Sequence, residues 1–71
     1  MKENIYLEQA RTIVSDFVTD DNTLEEAKEH AETSLDYTIK ILTKLNYKGS
    51  LKILGNLLVV KSEIINVDTP F

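Results

Sequence analysis

One apolar period of three and four residues runs through residues 23–47, TLEEAKEHAETSLDYTIKILTKLNY, and predicts a single long helix that the rest of this short chain must pack against. Leu24, Ala27, Ala31, Leu35, Thr38, Ile39, Leu42 and Leu45 share one face. Thr23 followed by Glu26 is a capping box: the hydroxyl accepts the Glu26 amide and the carboxylate accepts the Thr23 amide. Gly49 is the expected stop, with Lys40, Lys44 and Lys48 crowding the last turns. Glu25, Glu26, Glu29 and Glu32 lie at the opposite end, so the charges complement the helix dipole. A helix over 24–47 is about 36 Å long. Its small residues come first, so a partner helix approaches closely near Ala27 and Ala31, and a bulkier core is expected from Leu35 to Leu45.

Two shorter segments flank it. In 4–18, Tyr6, Leu7, Ala10, Ile13, Val14, Phe17 and Val18 fall on one side of a wheel, which predicts a first helix capped by Asn4 or Glu3. Thr19, Asp20, Asp21 and Asn22 form a polar break of hairpin length, so the first two helices are expected to pack antiparallel. After a second break at 46–50 the chain is ambiguous. Gly55-Asn56 between apolar runs is a β-hairpin signal, and Ile53, Val59, Val60, Ile64, Ile65 and Val67 favour strands. The apolar residues do not alternate, however, and all but Val59 fall in an arc of about 200° on a helical wheel. The expectation is an all-α bundle of three helices with a third helix over about 51–65 and a tail at 66–71. A two-helix hairpin followed by a β-hairpin at 51–60 is the alternative. So wide an arc places helix three in the groove of the other two or turns part of it towards another chain.

Seventy-one residues make one domain with a modest core, and the chain has no cysteine and one histidine to staple it with disulfide or metal. Helix packing, oligomerisation, or both must supply the stability. The segment MKENIYLEQ lacks the apolar run of a signal peptide, and no stretch has the length of a membrane span. A cytoplasmic protein without membrane attachment is expected. Lysine outnumbers arginine seven to one, a bias of AT-rich genomes such as those of low-GC bacteria and their phages.

Charge is unevenly placed. Residues 1–37 carry ten acids against three bases, and residues 38–71 carry five lysines against Glu63 and Asp68. Glu25, Glu29, Glu32 and Asp36 form an acidic stripe whose Glu25–Glu29 and Glu32–Asp36 pairs repel, with Asp36–Lys40 the favourable pair. The stripe is either a solvated face or a surface for a basic protein. Lys40, Lys44, Lys48 and Lys52 recur every four residues and, with Tyr47, are the candidates for phosphate or nucleic-acid contact. A helix-turn-helix reading is weak, because residues 50–65 offer few polar side chains for base edges and no arginine. The two stripes also suit each other, the acidic half of one protomer meeting the basic half of another in an antiparallel dimer.

His30, Ser34, Tyr37 and Ile41 line a second flank of the central helix. His30 reads as a surface partner of Glu26, since nothing there completes a catalytic set. No phosphate-binding glycine loop, EF-hand or zinc spacing is present, so no catalytic, cofactor or metal residue is assigned. Leu54, Leu57, Leu58, Ile64 and Ile65 are the candidate oligomer interface. The expected function is a small acidic interaction module, a regulator or inhibitor of phage or mobile-element type that binds a larger protein through a helix face. The alternatives are nucleic-acid binding through the lysines and a structural, self-assembling role, with a homodimer or higher oligomer as the expected state.

Overall fold

Local hydrogen bonds set the starts of the first two helices where the side chains predict them. The computed structural model describes residues 4–45 and 48–68. Helix α1, Ile5–Ser15, is capped by Asn4, whose Oδ1 accepts the Leu7 amide at 3.1 Å. Helix α2, Leu24–Leu45, opens on the complete capping box: the Glu26 amide donates to Thr23 Oγ1 at 3.2 Å and the Thr23 amide to Glu26 Oε1 at 3.1 Å. Glu3 as an alternative cap lies outside the described residues.

Helix α1 stops three residues before the predicted end. The Phe17 and Val18 amides donate to the carbonyls of Val14 and Ser15, three residues back, so the chain tightens and leaves the helix. Asn22 then holds the loop: its Nδ2 donates to the Phe17 carbonyl at 2.7 Å and its Oδ1 accepts the Thr19 amide at 2.9 Å.

Residues 51–60 are helical. Helix α3, Lys48–Glu63, runs through Gly55 and Asn56 and continues as a 3₁₀ turn, Ile64–Asn66. The β-hairpin alternative is not supported, and the burial pattern gives the reason. A strand would place residues 58, 60, 62 and 64 on one side, yet Val60 and Ile64 are buried while Leu58 and Ser62 are exposed. Gly49 does not close α2 but sits in the first turn of α3, so Lys48 begins a helix instead of ending one. Gly55 is in mid-helix, and a Cβ there would meet nothing within 4 Å. Gly55→Ala is therefore expected to stabilise the protein by about 0.5–1 kcal/mol, read as a rise of a few degrees in the thermal midpoint by circular dichroism. A lowered midpoint would contradict a helix through this position.

Helices α2 and α3 run antiparallel. Lys61 pairs with Asp36, and the Lys28 ammonium donates to the Ile65 carbonyl at 3.3 Å. Helix α1 packs on both, with Asn4 Nδ2 donating to Glu63 Oε2 at 3.0 Å. The buried apolar residues are Ala10 and Val14 of α1, Ala27, Ala31 and Leu35 of α2, and Val60, Ile64 and Val67 beyond. This core sits at one end. With 11 residues α1 is about 16 Å long, against about 33 Å for the 22 residues of α2. It covers only the first half of α2. The bulkier core expected from Leu35 to Leu45 does not form: Leu35 is buried, Ile39 and Leu42 are half-buried and Leu45 is exposed. The far half of the α2–α3 hairpin projects as a two-helix arm. The Cα radius of gyration, 12.8 Å, accordingly exceeds the roughly 11 Å of a compact chain of this length. Phe71 and Pro70 of the tail lie outside the described residues, but Val67 is buried, so the tail docks on the core at that residue.

Candidate interaction surfaces

Among the described residues two apolar strips are exposed, the first on the arm, which α1 does not reach. The first continues the α1 side. His30, Tyr37 and Ile41 are spaced seven and four apart and so share a flank of α2. Phe17, just past α1, stacks on His30 with ring centroids 6.3 Å apart. Tyr37 and Ile41, further along that flank, are exposed together with Leu45 and with Ile53 of α3. By helical position they face the side on which α1 packs, beyond the length that α1 covers. The Glu26 side chain is occupied by the capping box, so His30 is placed by its ring contact and not by that carboxylate.

The second strip lies on the far side of α3. Leu51, Leu58 and Ile65 are 70%, 54% and 79% exposed and recur every seven residues. Of the interface candidates, Leu58 and Ile65 are exposed and Leu54 and Leu57 are half-buried. Ile64 belongs to the core, at 2% exposed, and leaves the set. Ile41 stood on the second flank in the sequence, but Ile53 of α3, 51% exposed, was not singled out as a surface residue, because its exposure depends on how far α1 reaches.

The charged rows are divided between contacts inside the molecule and open surface. Asp36 accepts from Lys61, a partner 25 residues away rather than the Lys40 expected from spacing. That hydrogen bond holds the Lys61 ammonium pKa above its ordinary 10.5 against the opposing effect of burial, and the Asp36 and Glu32 charges add to the rise. Glu25, Glu29 and Glu32 line an open groove of about 310 Å³ with Lys28, Ile64 and Ile65. Lys28 sits 3.9 Å from Glu25 across its edge. The lysine series is broken by the helix turn: Lys40 and Lys44 lie on α2, Lys48 and Lys52 on α3, and all four are exposed. Tyr47, grouped with them in the sequence, lies outside the described residues. No acid occurs between Asp36 and Glu63, so the arm is wholly basic while the body is acidic.

Among the described residues no group of His, Cys, Asp and Glu is placed to hold a metal ion, and no helix is long and apolar enough to cross a membrane. The fold and surface define a small all-α protein of three helices, its open chemistry carried by apolar strips and charged rows. No protein-family model, curated protein or solved structure matches the chain.

Proposed function

We propose that the protein is an interaction module, a small regulator that acts by binding a larger protein in the unfilled groove of its arm. The observation that carries this reading is the mismatch between α1 and α2. Helix α1 fills one half of the α2–α3 groove, and Tyr37, Ile41, Leu45 and Ile53 line the other half without cover among the described residues. Such a groove suits an amphipathic helix of the partner, which would lay its apolar face where α1 would continue. Lys40 and Lys44 stand beside Tyr37 and Ile41 on α2, so the fitting partner helix carries acids on its polar face. A phage or mobile-element regulator acting on a host protein is the concrete form of this proposal, supported by chain size and lysine-rich composition.

Binding is tested by retention of partners from lysate of the source organism or its host, with nuclease present, on the wild-type chain and on Ile41→Glu/Ile53→Glu. The expected result is a stoichiometric protein retained by the wild type and lost by the double variant, because a charge in a helix-binding groove loses both apolar contact and desolvation. Retention that vanishes with nuclease, or that the double variant preserves, would overturn the groove reading. The first of those outcomes would instead favour nucleic acid on the arm lysines, with affinity falling steeply in salt.

A further inference from the structure

We propose that the tip of the arm docks on an anionic lipid surface, with its aliphatic side chains in the headgroup layer and its lysines on the lipid phosphates. Residues 37–62 hold Lys40, Lys44, Lys48, Lys52 and Lys61 and no acid. The first four are exposed, two in the last turns of α2 and two in the first turns of α3. Ile41 and Leu45 of α2 and Leu51 and Ile53 of α3 belong to the same turns and are exposed as well.

These four apolar residues do not form one face. Leu51 and Ile53 are two residues apart and so about 160° from each other round α3, which puts apolar side chains on opposite sides of the hairpin. A helix laid in the groove would cover Ile53 and leave Leu51 in water. A medium that surrounds the tip covers both. All four are aliphatic and offer nucleic-acid bases no ring to stack on, whereas the boundary of headgroups and acyl chains takes up leucine and isoleucine beside lysine.

Depth and charge agree with this. Interfacial docking reaches about 5–10 Å into a bilayer, roughly the first six residues of a helix that enters end-on. That depth takes in Ile41, Leu45, Leu51 and Ile53, and the lysine stems follow them while the ammonium groups reach back to the phosphates. The nearest acid on α2 is Asp36, nine residues or about 13 Å behind Leu45, and it is paired with Lys61. On α3 it is Glu63, 15 residues or about 22 Å behind Lys48. Both lie beyond the Debye length of about 8 Å at physiological ionic strength, so the acidic body does not cancel attraction at the tip. The contact is peripheral, as no helix among the described residues is long and apolar enough to cross a membrane. It departs from the lack of membrane attachment expected from signal and span lengths in the sequence.

The chain has no tryptophan, so one introduced at Leu51 is a unique reporter. With vesicles of phosphatidylcholine containing roughly a third phosphatidylserine, Leu51→Trp fluorescence is expected to shift to the blue and to be quenched by brominated acyl chains. Pure phosphatidylcholine vesicles are expected to give neither change. Ile65→Trp, also at an exposed position but at the base of the arm, is expected to give neither change with either lipid. The wild-type chain is expected to sediment with the anionic vesicles. Lys48→Glu/Lys52→Glu is expected to bind them about 25-fold more weakly or worse, at about fivefold per lysine lost, with helical circular dichroism unchanged. A wild type that stays in solution, an unshifted Leu51→Trp, equal shifts with neutral and anionic vesicles or at Leu51 and Ile65, or a double variant that binds like the wild type would overturn the proposal. So would preference for a labelled single-stranded oligonucleotide over the vesicles, which would assign the lysines to nucleic acid. Every variant here leaves Ile41 and Ile53 in place, so the groove reading is decided apart, by partner retention on Ile41→Glu/Ile53→Glu.

Discussion

Ile64→Ala is expected to remove about 2–5 kcal/mol of folding stability and lower the thermal midpoint by 10 °C or more, whereas Ile65→Ala next to it changes stability by about 0.5 kcal/mol or less. Ile64 is 2% exposed and is the largest fully buried side chain among the described residues, and Ile65 is 79% exposed. The difference follows from the core's size. Its buried apolar members among the described residues include three alanines, so Ile64, Val14, Val60 and Val67 supply most of the buried volume. Truncating the largest leaves a cavity that α1, α2 and α3 all border, which little rearrangement can fill. A chain of this length carries on the order of 4–10 kcal/mol in total, so the loss is a large share of what holds it folded. Circular dichroism melts of the two variants, at matched protein concentration so that any self-association contributes equally, decide the point. Equal losses at the two positions would mean that the 3₁₀ turn does not direct Ile64 inward.

The pair also marks what a sequence can disclose. The starts of α1 and α2 were legible because each is signalled within four residues: Asn4 with Leu7, and Thr23 with Glu26, bond as the local pattern requires. Helical period through Gly55-Asn56 was legible for a similar reason, since every apolar residue of the segment but Val59 votes on it. Which of those residues are covered was not. Ile64 and Ile65 look alike in a wide apolar arc, and the switch from α to 3₁₀ geometry rotates them relative to α3. The open arm was hidden too, because it depends on how far α1 reaches along α2, and its 11 residues span only about half the length of the 22. Asp36 shows the same limit among the charges. Lys40 is its neighbour by spacing, but the hairpin brings Lys61 to it from across the turn.

Ala31→Leu is expected to destabilise the protein by about 1–3 kcal/mol or more, while Thr38→Leu, two turns along the same helix face, is expected to be neutral or stabilising. Ala31 is fully buried, as are Ala10 of α1 and Ala27, and side chains this small are what allow helices to pack closely. Three further carbons at Ala31 have no space unless α1 moves outward, and that movement would loosen Val14 and Phe17 and the stacking of Phe17 on His30. Thr38 is exposed, with its hydroxyl donating back to the Ser34 carbonyl, because α1 does not extend to it. A leucine there meets solvent and the neighbouring strip, and removes a β-branched residue from a helix interior. Urea titrations read both effects as shifts in the midpoint, with the slope for Ala31→Leu reporting whether the variant still unfolds in one cooperative step. Opposite signs at two positions of one apolar stripe follow only if α1 covers the first half of α2 and leaves the second open. If both substitutions destabilise alike, the arm is covered in solution and its groove is not available to a partner.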